Sequence, residues 1–440
     1  MRVLMWIIIA TSAVTSAQAQ LRLPGAQLPV LPGQKLTEAI GQTGANSLEQ
    51  LSDVRHLLIA NLIRANPRII AADPHGNPIV RDELLAASPS AQAMETALAM
   101  GFRIVREQAI EDLDIHLVVL QPPANIRIAK ALRQLREADP AGTYDFNHIY
   151  TGGGMVSATA TATASGGMPS EDMPAGSTDH VGSRVGLIDS GVDIAHPVFH
   201  DAVIHPWGCQ NRILASAHGT AVASLLVGQT SGFRGALVKA ELYAADVYCD
   251  APTGGSVDAL AAAFSWLAQQ RVAVINVSLV GPDNAALAQF VRALSARGYL
   301  LVAAVGNDGP AAPPLYPASY PHVVGVTAVD AHRRVLIEAA RGKQVMFAAP
   351  GADMVAADNS GKYSAVRGTS FAAPIVAALL AETVSAPDLN ISDAAVEALA
   401  RQAIDLGSPG RDLTYGFGLV GAERISGSKE EMPAGARINR

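Results

Sequence analysis

Two kinds of apolar patterning alternate along this chain. Short unbroken runs rich in Val, Ile, Leu and Ala stand at residues 185–188, 241–248, 272–277, 299–305 and 323–329. Runs of that length and content read as strands buried on both faces. Between them, residues 257–269 and 285–297 repeat apolar positions at helical spacing, and Gly298 stops the second stretch. Trp266 and Phe290 fall on that spacing and are assigned to the core, where the many alanines allow close helix-to-sheet packing. Strand and helix in this alternation predict a mainly parallel sheet between helical layers.

Upstream the pattern is shorter in period. Ser47 and Gln50 form a capping box for a helix with Leu48, Leu51, Val54, Leu58 and Leu62 on one side. Residues 68–72 and 78–84 flank Asp73-Pro74-His75-Gly76-Asn77 as a hairpin-like strand pair. A helix over 91–100 ends at Gly101, strands follow at 102–106 and 114–121, and a helix over 126–136 aligns Ile128, Leu132 and Leu135. This predicts a small α/β N-terminal domain over residues 20–150. Residues 151–180 lose all apolar period in favour of Gly, Pro and alternating Ala and Thr, which predicts a flexible linker open to proteolysis. A maturation cut is expected between Tyr150 and Val181. A larger domain then spans 181–425, followed by a polar tail over 426–440, and no internal repeat is present.

Composition narrows the setting. A length of 440 residues leaves room for two or three domains, and a net charge of −7 gives no basic footprint, so nucleic acid is not an expected partner. Arg2 precedes the apolar run 3–9, and Ala17-Gln18-Ala19 offers small residues for cleavage, which reads as a signal peptide over 1–19. The alternative is an uncleaved N-terminal anchor. No later segment reaches about twenty apolar residues, so no stable membrane span is expected. The destination is the periplasm or the exterior, and the expected state is a monomer. The two cysteines, Cys209 and Cys249, suit a disulfide in an oxidising compartment, with two buried thiols as the alternative.

The chemistry gathers at element ends. Gly368-Thr369-Ser370-Phe371-Ala372-Ala373-Pro374 sets a serine on a tight turn before an Ala-rich helix, whose positive end favours an oxyanion beside Ser370. Alone, that serine reads as a helix cap. Two other segments change the reading. Residues 185–188 run into Asp189-Ser190-Gly191, a carboxylate at the end of a strand, and Ala217-His218-Gly219-Thr220 opens an apolar helix. A hydroxyl becomes nucleophilic when an imidazole accepts its proton, and a carboxylate holds that imidazole in the useful tautomer. The strand 299–305 breaks at Gly306-Asn307-Asp308-Gly309, where the Asn307 amide suits an oxyanion donor.

With these motifs in this order, residues 180–425 resemble the subtilisin-like serine peptidases. Asp189 matches that family's Asp-Ser/Thr-Gly motif, His218 its His-Gly-Thr, Ser370 its Gly-Thr-Ser-x-Ala-x-Pro, and Asn307 its Gly-Asn oxyanion motif. The stretch 275–279 resembles the strand lining the substrate cleft, 316–321 the loop after the oxyanion Asn, and 415–420 the closing stretch. The resemblance implies a subtilisin-like three-layer sandwich, catalysis by Asp189, His218, Ser370 and Asn307, and substrate binding along Ser278, Leu279, Val280 and Gly306. It implies protein or peptide substrates and no cofactor. The N-terminal domain resembles subtilisin prodomains more weakly, which makes it an intramolecular inhibitor whose residues 144–150 thread the cleft; the alternative is a permanent accessory domain. Several positions depart from the pattern. Val280 replaces a usual Gly and bears on a specificity pocket, Ala221 and Ile375 replace frequent His, and 228–235 lacks the carboxylate of a calcium loop, so no metal is expected. Two other functions fit the same scaffold: a non-catalytic binding protein, which a missing triad member would signal, and a peptidyl acyl-transferase, which product analysis separates from a hydrolase.

Overall fold

The computed structural model describes residues 47–152, 155–157 and 182–424. The expected signal peptide, most of the linker and the polar tail lie outside the described residues.

In the N-terminal domain, α1 (Ser47–Ala65) leads into β1 (Ile70–Ala72) and β2 (Pro78–Ala87). Then follow α2 (Ala91–Ala99), β3 (Arg103–Ile110), β4 (Ile115–Gln121), α3 (Ile128–Ala138) and β5 (Thr143–His148). The strands make one antiparallel sheet in the order β1-β2-β4-β3, with β5 also paired to β2. The two-residue period sorts its faces. Leu84, Ala86, Val118 and Leu120 pack with Ala97, Leu132 and Leu135 of the domain's own helices. Leu85, Ala87, Leu117 and Val119 point the other way and pack with Leu260, Phe264 and Phe290 of the larger domain.

The expected cleft-threading tail over 144–150 is therefore corrected. Residues 143–148 are the strand β5, whose Tyr144 and Phe146 fill the small domain's core, and the cleft segment begins only at Ile149. The polar residues of β5 have work of their own. Asp145 Oδ2 accepts from Ala285 N at 2.8 Å, and Asn147 Nδ2 donates to Asp258 Oδ1 at 2.8 Å. Both contacts meet the first turn of a helix in the larger domain, where unpaired N–H groups favour acceptors and negative charge.

The chain continues through β6 (Thr151–Gly152), β7 (Met155–Ser157), β8 (Arg184–Asp189), β9 (Val203–Trp207), α4 (Ala217–Val227), β10 (Glu241–Asp246), α5 (Val257–Gln269), β11 (Val274–Val277) and β12 (Leu279–Val280). It closes with α6 (Ala285–Ala296), β13 (Leu300–Ala304), β14 (Val323–Val329), β15 (Val345–Pro350), β16 (Met354–Ala357), β17 (Tyr363–Arg367), α7 (Thr369–Ala381) and α8 (Leu389–Gln402). Seven of these strands form the central sheet, ordered β15-β14-β13-β11-β8-β10-β9, with every neighbour parallel. Val185, Leu187, Val302 and Ala304 face α4, α7 and α8, while Ile188, Leu301 and Ala303 face α5 and α6. The expected three-layer α/β architecture is present.

Cys209 and Cys249 form a disulfide with a sequence separation of 40. Closing a loop of that length removes chain entropy worth about 4 kcal/mol. The loop carries α4, and with it His218. Among the described residues no helix is long and apolar enough to cross a membrane.

Candidate active site

From β8 the chain crosses to β9 and β10 on one side, then resumes with β11 on the other. The carboxyl end of β8 is thus the point where strand order reverses, the place where open parallel sheets form crevices. Asp189 stands there, fully buried. Its Oδ1 accepts from Ser190 N at 2.6 Å, from Ser190 Oγ at 3.0 Å, and from His218 Nδ1 at 2.8 Å. Two glycines make this approach possible. A Cβ on Gly219 would fall 2.0 Å from Ser190 O, and one on Gly191 would fall 2.0 Å from Leu214 O. With those positions bare, the first turn of α4 settles on the β8 turn, and Ser190 Oγ accepts from Gly219 N at 3.1 Å.

Burial alone would pull the His218 pKa down, but the charge of Asp189 and its hydrogen bond outweigh burial and raise it above the ordinary 6.5. The Nδ1 side of the ring is committed to the carboxylate. Nε2 is buried and has no hydrogen-bond partner among the described residues.

Ser370 is the second residue of α7 and is fully buried. Gly368, at φ 136°, makes the turn that admits it. Its Oγ donates to Ser278 O at 3.4 Å. Pro374 explains a further contact. Proline lacks the N–H that would bond the carbonyl four residues back, which is Ser370 O. Ser278 Oγ donates to that carbonyl instead, at 3.1 Å, and itself accepts from Asn276 Nδ2 at 2.8 Å. Thus Ser278 braces the serine turn as well as leading into the β12 edge. Asn307 Oδ1 accepts from Thr369 N at 3.1 Å, while Thr369 Oγ1 accepts from Gly306 N at 3.2 Å. That clamp fixes the amide beside Ser370 and leaves Nδ2 buried without a partner among the described residues. Asp189, His218, Ser370, Asn307, Ser278 and Gly306 are therefore brought together.

The crevice is occupied by the chain itself. Thr151 and Gly152 (β6) pair antiparallel with Val280 and Leu279 (β12), and Met155–Ser157 (β7) pairs antiparallel with Arg367, Val366 and Ala365 of β17. Gly152 passes beside the His218 imidazole: a Cβ there would lie 3.7 Å from Nε2. Upstream, Ile149 bridges Ser256, Tyr150 N donates to Gly255 O at 2.8 Å, and Tyr248 Oη donates to Tyr150 O at 3.0 Å. The Tyr150 side chain is fully buried over Gly281, and its hydroxyl donates to Pro282 O. Residues 151–152 and 155–157 fall in the expected linker, yet they pair as edge strands on both sides of the serine.

Sequence reasoning missed Tyr248, Gly255 and Ser256, the second edge of the crevice, and β17 beyond the serine. The Gly254-Gly255 pair was the available signal, since a backbone that another strand approaches closely favours bare positions. Asp246 joins Cys209 and Cys249 in a group with metal-ligand chemistry, but both sulfurs are taken by the disulfide.

Residues 181–418 match the model of the subtilase family. The chain is 30% identical over 244 residues to the minor extracellular protease Epr of Bacillus subtilis, a match covering 54% of this chain and 37% of that protein. It is 31% identical over 249 residues to subtilisin DY of Bacillus licheniformis, covering 54% of this chain and 89% of that one. Among solved structures, fervidolysin from Fervidobacterium pennivorans, a keratinolytic enzyme related to subtilisin, superposes with a TM-score of 0.63 at 19% identity. That likeness is one of fold, covering 81% of this chain and 62% of fervidolysin.

Proposed function

Because this chain belongs to the subtilase family, we propose that it is an exported serine endopeptidase made as a precursor. Ser370 Oγ turns from Ser278 O to His218 Nε2 and attacks a peptide carbonyl while the imidazole takes its proton. Asp189 keeps the other imidazole proton on Nδ1 and stabilises the imidazolium. Asn307 Nδ2 and the Ser370 N–H donate to the developing oxyanion. The amine leaves with the proton from His218, and water repeats the sequence on the acyl-enzyme. The backbone edge of Ser278, Leu279 and Val280, with Gly306 behind it, holds the substrate strand.

The observation that carries this reading is the chain's own segment in the crevice. An extended strand paired with Leu279 and Val280, passing the unpartnered Nε2 of His218, is how a peptide substrate would lie. The N-terminal domain then acts as an intramolecular inhibitor, and the bond first cut lies between Gly152 and Met155. The signal peptide and the disulfide fit export to the periplasm or exterior.

Purified full-length protein treated with a serine-directed fluorophosphonate tests this. The expected result, read by mass spectrometry, is one label on Ser370 and loss of N-terminal mass with a new N-terminus at 153, 154 or 155. Labelling at another residue would remove Ser370 as nucleophile. A new N-terminus elsewhere would remove the self-cutting role of the threaded segment.

Activity should also rise with pH. His218 acts as base only when neutral, and its pKa is raised. The limb of kcat/KM is therefore expected to have its midpoint above pH 6.5, and a profile flat from pH 5 to 9 contradicts the assignment.

A further inference from the structure

One ion pair in the crevice belongs to neither the triad nor the threaded strand. Arg55, from α1, places Nε 3.2 Å from Asp308 Oδ2, and its Nη2 donates to Val280 O at 3.3 Å. Each of the two side chains is only 15% exposed. The guanidinium therefore spans two elements of the crevice wall. One is the carbonyl of Val280, whose residue pairs with Thr151; the other is the carboxylate directly after Asn307.

We propose that Asp308 is a specificity-determining residue, that it selects substrates with an arginine or lysine side chain on the N-terminal side of the cut bond, and that Arg55 holds that place in the precursor. The inference rests on the proteolytic reading above.

Three observations support it. The sequence around the expected cut is Gly152-Gly153-Gly154, so these three residues have no side chain to offer a neighbouring pocket. Arg55 reaches that wall from another element. Second, Arg55, the cation held against Asp308, comes from α1, and burial pushes the Asp308 carboxyl upward against its pull. Removing the N-terminal part takes that counter-ion away and opens the carboxylate and the Val280 carbonyl to an incoming cation. Third, the site offers two acceptors in a fixed relation, a carboxylate and a carbonyl. That suits the forked donors of a guanidinium better than the single point of an ammonium.

The obvious rival is that Arg55 is only a strut that docks α1. A strut predicts no side-chain preference once α1 has left. The test uses the full chain after it has processed itself, and a fluorogenic peptide series differing only in the residue before the cut bond: Arg, Lys, Leu or Glu. The expected kcat/KM for Arg exceeds that for Leu by about 30-fold, with Lys between them and Glu lowest. In Asp308→Asn the ratio of Arg to Leu should shrink to within about threefold, chiefly through KM for the Arg peptide. Benzamidine, a rigid amidinium, should compete in the wild type and lose about tenfold in potency in the variant. Equal rates on Arg and Leu peptides in the wild type overturn the inference alone and leave the protease standing. An Arg preference that Asp308→Asn does not change moves the pocket elsewhere and overturns it too. No cleavage of any peptide, nor of a denatured protein, overturns the proteolytic reading and this inference together.

Discussion

Ser370→Ala should lower kcat by about 10⁶-fold, and the exported precursor should keep its N-terminal domain uncut. The residue left behind still fits its buried position at the start of α7, so the fold survives. What disappears is the hydroxyl proposed to form the acyl bond. Donors at Asn307 and the edge at Leu279 and Val280 remain, which leaves a small residual rate over water and an almost unchanged KM. Separate kcat and KM measurements on one peptide, with intact mass followed over days, check both parts. A fall of less than about tenfold would remove Ser370 as nucleophile.

Asp189→Asn is expected to cost about 10⁴-fold in kcat by a different route. The carboxylate can only accept, so it holds the His218 proton on Nδ1 and leaves Nε2 free to receive. An amide can donate to Nδ1 instead. The ring then carries its proton on Nε2, where it faces Ser370 as a donor and cannot act as base. The charge that raises the His218 pKa also goes, so whatever activity remains should rise at lower pH than in the wild type. Thermal unfolding within a few degrees of wild type separates this loss from collapse of the site. An Asn variant within about tenfold of wild type, with an unmoved pH limb, would mean that Asp189 does not orient the imidazole.

The residues of the proposed triad were legible because each announces itself locally. Asp189, His218, Ser370 and Asn307 stand at the ends of apolar runs beside glycines that a turn or a close approach requires. The central strands were legible for a similar reason, being apolar on both faces. Residues 143–148 were harder. Their polar members, Asp145 and Asn147, serve helix ends in another domain, so the alternation reads as a tail. Pairing of residues 151–152 and 155–157 across the crevice is a matter of backbone atoms, and Gly152 carries no side chain to mark it. Strands β15 to β17 are hard to read for another reason: their runs are only four to six residues long, β15 and β16 lean on Ala and Met, β17 carries Ser364 and Arg367, and tertiary pairing decides them. The contact of Arg55 with Asp308 joins distant parts of the chain by charge alone, which no local pattern encodes.

The sheet of the N-terminal domain turns Leu85, Ala87, Leu117 and Val119 toward helices that it does not own. While the chain is whole, that face is glue. Under the proposed maturation, release of the domain would expose that face to water, and a domain of this size with one bare apolar side has little stability in reserve. It would then become an unfolded peptide in the presence of the proposed protease. Digestion would remove the proposed inhibitor instead of returning it to equilibrium, so latency would be lost once and for each molecule separately. The arrangement would work as a ratchet: the contact proposed to keep the enzyme silent would also ensure that silence, once broken, does not come back.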